Sequence, residues 1–297
     1  MSFHALVQRR WTDLDAQGHA NNTAFVEYTQ EARTQFLGKG GAAGLLTDGL
    51  LVVTNQVEFV SSIPFSPDPL RVEVVVSDIG NDRFTLASQI YDQTALMARA
   101  RTLCCAYDFD AATPRPLSEG QREYLESHFV SVDGFREMPH KPLGGNGIRY
   151  PFYPRWSDLD PYGHVNNVRY FDFIQEARIA AMTSLDTHAV RIGTSTWGDG
   201  ELPKEFVTWL LARQDVEYFE QLPHRLEPYM VVSAPVKIGS TSITYNAEVV
   251  DPADETKILA RAVSVVVCAD ANGVPRALPD TIRQTSERYM VGQHPVG

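Results

Sequence analysis

The chain has 297 residues, of which 43% are hydrophobic and 21% charged, a composition typical of a folded globular protein rather than a disordered one. This length predicts two domains, each large enough to bury a hydrophobic core. The formal net charge of −11 repels phosphate backbones and anionic lipid surfaces, so neither nucleic acid nor a membrane is expected as a partner. An anionic ligand would need a local patch of Arg or Lys.

The three cysteines, Cys104, Cys105 and Cys268, have neither the spacing of a disulfide framework nor that of a metal site. They lie in apolar, strand-like stretches and are expected in the core. The N-terminal segment lacks a basic region followed by an apolar run, and no apolar run in the chain approaches ~18 residues. The sequence therefore predicts a cytoplasmic protein with no metal, no cofactor and no membrane span.

The chain contains an internal duplication. Residues 11–33 and 156–178 align without a gap, and 12 of the 23 aligned pairs are identical, far more than unrelated segments share. Two similar halves follow from this alignment. We predict an N-terminal domain at residues 1–130, a linker rich in Gly and Pro at 131–150, and a C-terminal domain at 151–290.

In chain order, each half reads as one strand, one long helix and several further strands. The helices are predicted from apolar side chains at helical spacing, at Phe25, Tyr28, Ala32 and Phe36 in the first half and at Tyr170, Phe173, Ala177 and Ala181 or Met182 in the second. Later segments alternate apolar and polar residues, which predicts half-buried strands. An antiparallel sheet packed on one helix satisfies both patterns. The second half has an insertion at residues 186–203, which predicts a loop near the site.

The most distinctive feature is a duplicated Asp-Leu-Asp-x-x-Gly-His-x-Asn-Asn motif, between the first strand and the helix of each half. Helix N-termini favour anions and developing oxyanions, and a carboxylate there can serve as a general base or a nucleophile. Asp15 and Asp160 are the candidates for this role. Asp13 and Asp158 fit acceptors that order the loop, and the paired Asn residues fit helix caps. His19 and His164 fit either orientation of the carboxylate or bonding of the turn.

In this motif the sequence resembles the hotdog-fold thioesterases, namely the 4-hydroxybenzoyl-CoA thioesterase-like superfamily and the related plant-type acyl-ACP thioesterases. Residues 158–170, Asp-Leu-Asp-Pro-Tyr-Gly-His-Val-Asn-Asn-Val-Arg-Tyr, carry the most specific part of the resemblance, which extends over most of both halves. The resemblance implies an α+β fold of two tandem hotdog domains. Each would be a long helix wrapped by a curved antiparallel β-sheet, and the two would be paired as an intrachain pseudo-dimer.

The resemblance also implies hydrolysis of an acyl-CoA or acyl-ACP thioester, with Asp15 and Asp160 as the catalytic carboxylates. In the acyl-ACP branch a catalytic His lies four residues after the Asp, which matches His19 and His164. That branch has an Asn two residues after the Asp, where this chain has Gln17 and Tyr162. The residues expected to bind the substrate are Asn21, Asn166, Gln17, Tyr162, Phe25 and Tyr170.

Two other functions remain compatible with the motif. One is a non-catalytic hotdog protein that binds acyl-CoA, and the other is a hotdog hydratase or dehydratase. The latter typically has its Asp and His five residues apart, whereas Asp15 and His19 are four apart, which favours the thioesterase. A homo-oligomer of the double-hotdog chain is compatible with either.

Overall fold

The computed structural model describes residues 1–15, 18–138, 140–185, 208–270 and 272–291. The chain forms two compact units, Met1–Glu137 and Met138–Gly297. Gln17 and the predicted loop insertion at 186–203 lie outside the described residues. No helix in the described part of the chain is long and apolar enough to cross a membrane.

The first unit consists of a long helix, a five-stranded antiparallel sheet and short accessory elements. These are β1 (Phe3–Val7), α1 (Asn22–Leu37), α2 (Gly44–Asp48), β2 (Leu50–Phe59), β3 (Leu70–Ile79), β4 (Arg83–Asp92), β5 (Ala95–Asp108), β6 (Thr113–Pro114) and α3 (Glu119–Ser127). The strand order is β1-β3-β4-β5-β2, with β6 paired to the end of β5. Helix α1 packs against β1 and β3.

The second unit repeats this plan. Its elements are β7 (Ile148–Phe152), α4 (Arg169–Leu185), β8 (Thr208–Tyr218), β9 (Tyr229–Ile238), β10 (Ser242–Asp251), β11 (Asp254–Ala269) and α5 (Asp280–Arg288). The strand order is β7-β9-β10-β11-β8, the counterpart of the first sheet, and α4 packs against β7 and β9. The α+β fold of two tandem hotdog domains is confirmed.

The core of each unit lies between the long helix and one face of its sheet. The stripe predicted for α1 is fully buried, as are Tyr170, Ala177, Ala181 and Met182 of α4, whereas Phe173 is half-buried and stacks on Phe152. On β3, Leu70, Val72, Val74 and Val76 are buried while the residues between them are not, because successive strand residues face opposite sides. All three cysteines are free and buried, as predicted.

Part of the segment predicted as a linker belongs to the second unit. The Leu143 side chain is buried with Val232, Ala234 and Val236 of β9. Its main-chain N–H donates to Glu248 Oε1 at 2.9 Å. Residues 131–150 have no helical or strand periodicity in their apolar residues, yet Leu143 among them packs in the core of the second unit.

Candidate active site

Both copies of the motif have the same two main-chain hydrogen bonds, which in the second half close a five-residue loop at residues 160–164. In the first half the Asp15 N–H donates to the His19 carbonyl at 2.8 Å, and the Gly18 N–H donates to the Asp15 carbonyl at 3.0 Å. In the second half, Asp160, Gly163 and His164 make the same two hydrogen bonds at 2.8 and 3.0 Å. The loop therefore begins at the aspartate that the sequence singles out and ends at the histidine.

The glycine of the motif is required by its backbone conformation. Gly18 has a φ of +80° and Gly163 a φ of +82°, and a Cβ added to either would meet no atom within 4 Å. Glycine adopts this left-handed conformation at little cost, whereas other residues are strained there. Gly at this position lets the chain reverse direction, so that the residues on either side of the loop form the bridges Leu14 with Ala20 and Leu159 with Val165.

Asp160 holds its loop through one carboxylate oxygen and leaves the other available. Its Oδ1 accepts the main-chain N–H groups of Tyr162 at 2.9 Å and His164 at 3.2 Å. Its Oδ2 makes no hydrogen bond to any residue in the described ranges, and the side chain is half-buried. The loop fixes the orientation of a carboxylate whose second oxygen can still contact a ligand.

Asp15 occupies the same place in the first half, in a more open setting. Its Oδ1 accepts the His19 main-chain N–H at 3.3 Å, and the residue is exposed. In both halves the main-chain N–H of the histidine thus donates to the carboxylate of the aspartate. The two candidate carboxylates share a geometry but differ in their contact with solvent.

The first aspartate of each motif orders the segment that precedes the loop. Asp13 Oδ2 accepts the Arg10 N–H at 2.7 Å and the Tyr28 hydroxyl at 2.8 Å. Asp158 Oδ2 accepts the Arg155 N–H at 2.7 Å. Burial, together with the hydrogen bond to Asp13, raises the pKa of Tyr28, so the phenol retains the proton that it donates. Both aspartates act as the acceptors that the sequence predicts.

The loop between the second and third strands of each sheet supports the motif. The Ala20 N–H donates to the Ile63 carbonyl at 2.8 Å, and the Val165 N–H donates to the Leu222 carbonyl at 2.8 Å. These bonds continue into bridges between the motif histidine and a proline of the supporting loop, His19 with Pro64 and His164 with Pro223. The position of the histidine is therefore set from both sides.

Two arginines from unrelated chain positions brace this supporting loop. Arg9, just before the first motif, donates to Asp92 at 2.8 Å and to the Pro64 carbonyl at 3.1 Å. In the second unit, Arg225 of the loop itself donates to Asp251 at 2.6 Å. Sequence comparison of the halves misses this equivalence, because the arginines do not align.

The asparagines have divided roles. The Oδ1 atom of Asn21, the N-cap of α1, accepts the Thr23 N–H at 3.4 Å. The Oδ1 atom of Asn166, three residues before α4, accepts the Val168 N–H at 3.1 Å. Asn167 differs, because its Nδ2 is buried and has no hydrogen-bond partner in the described part of the chain. An unsatisfied buried donor beside the loop marks a residue that the sequence treats only as a cap.

The other predicted binding residues are spread over different surroundings. Phe25 and Tyr170 are buried between helix and sheet, where their rings contact Phe59 at 5.2 Å and Tyr218 at 5.0 Å between centroids. Tyr162 is half-buried in the loop.

Within the described ranges, no three His, Cys, Asp or Glu side chains are arranged to hold a metal ion.

Comparison with protein families agrees with this fold and motif. The model of the thioesterase-like superfamily matches residues 9–125 and 154–285, one match in each unit. The chain belongs to the thioesterase-like superfamily. A comparison with curated proteins gave no match.

Solved structures share the tandem fold over nearly the whole chain. A protein provisionally described as an oleoyl thioesterase, from Lactobacillus plantarum, has a TM-score of 0.69 at 14% identity, with 94% of this chain and 97% of that chain covered. The 12:0-ACP thioesterase from Umbellularia californica has a TM-score of 0.68 at 15% identity, covering 90% and 97%. An acyl-ACP thioesterase from Bacteroides thetaiotaomicron has a TM-score of 0.63 at 12% identity, with the same coverage. At these identities the likeness shows the fold.

Proposed function

We propose that this protein hydrolyses an acyl thioester to a free acid and a thiol, with Asp160 as the principal catalytic residue and Asp15 as its counterpart. The observation that carries the proposal is the carboxylate of Asp160, whose Oδ1 accepts two main-chain N–H groups of the loop while its Oδ2 accepts no hydrogen bond from the described residues. A turn alone does not need a carboxylate, since an Asn would accept the same two N–H groups. Membership of the thioesterase-like superfamily supports the choice of reaction.

In the proposed reaction, Asp160 acts as a general base. Its Oδ2 takes a proton from water while the water oxygen attacks the thioester carbonyl carbon, giving a tetrahedral intermediate. The C–S bond then breaks, the thiolate takes up a proton, and the acid and thiol leave. In the nucleophilic alternative, Oδ2 attacks the carbonyl carbon, the C–S bond breaks and the thiolate leaves and takes up a proton, giving an anhydride that water then hydrolyses to the acid and the free Asp160 carboxylate. Both routes consume one water and release the same products.

The remaining motif residues have supporting roles in the proposal. His164 and His19 fix the carboxylate through their main-chain N–H groups. We assign the hydrogen bond to the carbonyl oxygen, whose charge grows in the intermediate, to the Asn167 amide, a buried donor without a partner in the described part of the chain. The remaining candidates for contact with the substrate are Asn21, Asn166, Tyr162, Gln17, Phe25 and Tyr170, with the acyl chain passing between helix and sheet.

The proposed substrate is an acyl group on CoA or on acyl carrier protein. Both carriers present the same thioester to the loop, so the motif itself accepts either. The buried, free state of Cys104, Cys105 and Cys268 supports a reducing compartment such as the cytoplasm.

The test is thiol release from short, medium, long and aromatic acyl-CoAs, and from acyl-ACP, by wild type and by Asp160→Asn, Asp15→Asn and the double variant. Asn preserves the hydrogen bonds of the turn but cannot act as a base. We expect Asp160→Asn to lower kcat by about 10²- to 10⁴-fold. Activity that persists in each single variant but is lost in the double variant would assign a working site to each half.

The matched control is Asp158→Asn, the same substitution two residues earlier. It preserves the acceptor for the Arg155 N–H and should leave most of the activity. Full turnover by the Asp160→Asn, Asp15→Asn double variant would overturn the assignment of the aspartates. Tight acyl-CoA binding by wild type with no turnover of any thioester would replace the hydrolase with a binding protein.

A further inference from the structure

Each motif is preceded by an exposed Arg-Trp pair, Arg10-Trp11 in the first half and Arg155-Trp156 in the second. The tryptophans begin the short 3-10 helices Trp11–Asp13 and Trp156–Asp158, which lead directly into the candidate catalytic loops. The two indoles are 73% and 77% exposed. Burial of apolar surface therefore does not explain why Trp persists at this position in both halves.

The exposed indoles are nevertheless held in place. Trp11 contacts the ring of Phe65 edge to face, with centroids 5.4 Å apart, and Trp156 contacts the ring of His224 in the same way at 5.6 Å. Phe65 and His224 each follow the proline that bridges to the motif histidine. The contact orients each indole relative to the loop and leaves most of its surface to solvent.

The adjacent arginines differ from most others in the chain. Neither Arg10 nor Arg155 has an ion pair within the described ranges. The arginines that do have one there include Arg9, Arg83, Arg99, Arg149, Arg169, Arg213, Arg225 and Arg261. In a chain with a net charge of −11, a guanidinium with no ion pair in the described ranges, next in sequence to an exposed indole, favours an anion that has an aromatic part.

We propose that Arg155 and Trp156, and likewise Arg10 and Trp11, bind the phosphorylated adenosine end of CoA. The guanidinium would contact a phosphate, for which Arg is well suited, and the indole would stack on the purine. One ring and one cation per half suit a nucleotide but are far short of the roughly 800 Å² that each partner contributes to a stable protein interface. This inference rests on the proposed function and selects CoA as the carrier.

The first experiment measures binding without catalysis. Isothermal titration of the full chain with CoA and with adenosine 3′,5′-bisphosphate compares wild type with the Trp11→Leu, Trp156→Leu double variant and the Arg10→Gln, Arg155→Gln double variant. Loss of base stacking should weaken binding of both probes by about 5- to 100-fold. The matched controls are Arg288→Gln, an exposed arginine of α5, and Phe129→Leu, an exposed aromatic residue after α3. Each should bind like wild type.

The second experiment uses the reaction. The preference for acyl-CoA over the N-acetylcysteamine thioester of the same acid, as a ratio of kcat/KM values, should fall at least 5-fold in the Trp and Arg double variants. An unchanged ratio with unchanged CoA affinity would overturn the proposal and leave the hydrolase intact. Loss of CoA binding in the variants of a chain that hydrolyses nothing would uphold the nucleotide site and remove the hydrolase.

Two further outcomes would also overturn the proposal. If the variants keep wild-type CoA affinity but raise KM for acyl-ACP, the exposed pair contacts the carrier protein instead. If they keep CoA affinity but change the molar mass measured by light scattering, the exposed indoles belong to an interface between copies of the chain.

Discussion

The Asn167 side chain lacks one hydrogen bond that a buried amide normally makes. Its carbonyl accepts the Tyr218 hydroxyl at 2.9 Å, while its buried Nδ2 has no partner within the described ranges. An unsatisfied buried donor costs about 1–3 kcal/mol. A carbonyl oxygen of the substrate would satisfy it, so the proposed complex would recover this cost when the thioester binds.

We expect Asn167→Ala to lower kcat by about 10- to 1000-fold, because a donor to the developing oxyanion is lost. The free energy of unfolding should stay within about 1 kcal/mol of wild type, because the deleted amide donates to no residue in the described part of the chain. Steady-state kinetics and urea unfolding measure the two effects. Asn166→Ala is the control, because it removes the acceptor of the Val168 N–H and should cost about 1 kcal/mol. Unchanged kcat in Asn167→Ala would contradict the role.

The sequence predicts different roles for the two aspartates of the motif, and among the asparagines it assigns the substrate contact to Asn166 rather than to Asn167. Asp13 and Asp158 are predicted as loop-ordering acceptors, and both accept a main-chain N–H. Either asparagine fits a helix cap, so the local sequence does not show which amide lacks a partner. Their difference depends on whether the amide meets a partner in the folded chain, and that depends on residues distant in sequence.

At the scale of elements, the five-residue loop is the part of the fold that its local sequence specifies most completely. Its ends are joined by the bridges Leu14 with Ala20 and Leu159 with Val165, and its left-handed position is filled by Gly in both halves. The aspartate at the first position accepts N–H groups of the turn, which Asp does readily. Loop shape and candidate catalytic group therefore depend on the same few residues.

We expect Gly163→Ala to lower the free energy of unfolding by about 1 kcal/mol, because Ala is strained at a φ of +82° even where space is available. kcat should fall as well, since the turn orients Asp160. The control is Gly120→Ala in α3, where φ is ordinary and a Cβ meets nothing within 4 Å. That change should leave stability equal or raise it by up to about 1 kcal/mol. Equal stability of Gly163→Ala and wild type would show that the loop tolerates a side chain.

The helices and strands follow from periodicity, but some of their polar contacts do not. The alternation in β3 and the stripe of α1 predict the buried faces correctly. The Arg178 side chain is charged, and charged side chains usually face solvent. Instead it is buried and donates to Gln214 of β8 at 3.1 Å, and burial lowers its pKa to about 10. It follows the buried Ile174 by four residues, so helical spacing alone places it on the inner face.

At the scale of the whole chain, the segment that begins the second unit contains a buried histidine. The His140 side chain is 6% exposed, and its Nε2 lies 3.8 Å from Glu248 Oε1. Burial, with a contribution from the Arg261 guanidinium, lowers the pKa of His140 to about 4, and burial raises the pKa of Glu248. The free energy of unfolding in mildly acidic solution therefore depends on the protonation of His140 and Glu248.

We expect His140 to make the folded chain less stable as the pH falls from about 6.5 to 4. In that range the unfolded chain binds a proton that the buried imidazole does not, which costs up to about 3 kcal/mol. Glu248 has the opposite effect, because its raised pKa lets the folded chain bind a proton first. The measurement is urea unfolding of wild type and His140→Asn across this range. The variant should lose less stability on acidification.

His4→Asn, at an exposed histidine of β1, is the control and should follow the wild-type profile. Parallel profiles for wild type and His140→Asn would show that His140 has the same proton affinity in the folded and unfolded chain.

The tandem architecture itself follows from sequence, because the duplication is visible in residues 11–33 and 156–178. The packing of Leu143 does not, since a single apolar residue among Pro and Gly has no periodicity to reveal it.

The Tyr28 hydroxyl donates to Asp13 in the first half, whereas its aligned counterpart in the second half, Phe173, has no hydroxyl to donate. In a protein built from two identical subunits, every substitution enters both copies at once. A single reading frame that encodes both copies removes this restriction. Each half can then accumulate its own changes, so that the two copies can come to differ in the ligand that they prefer. Fusion in this way permits a division of labour within one polypeptide.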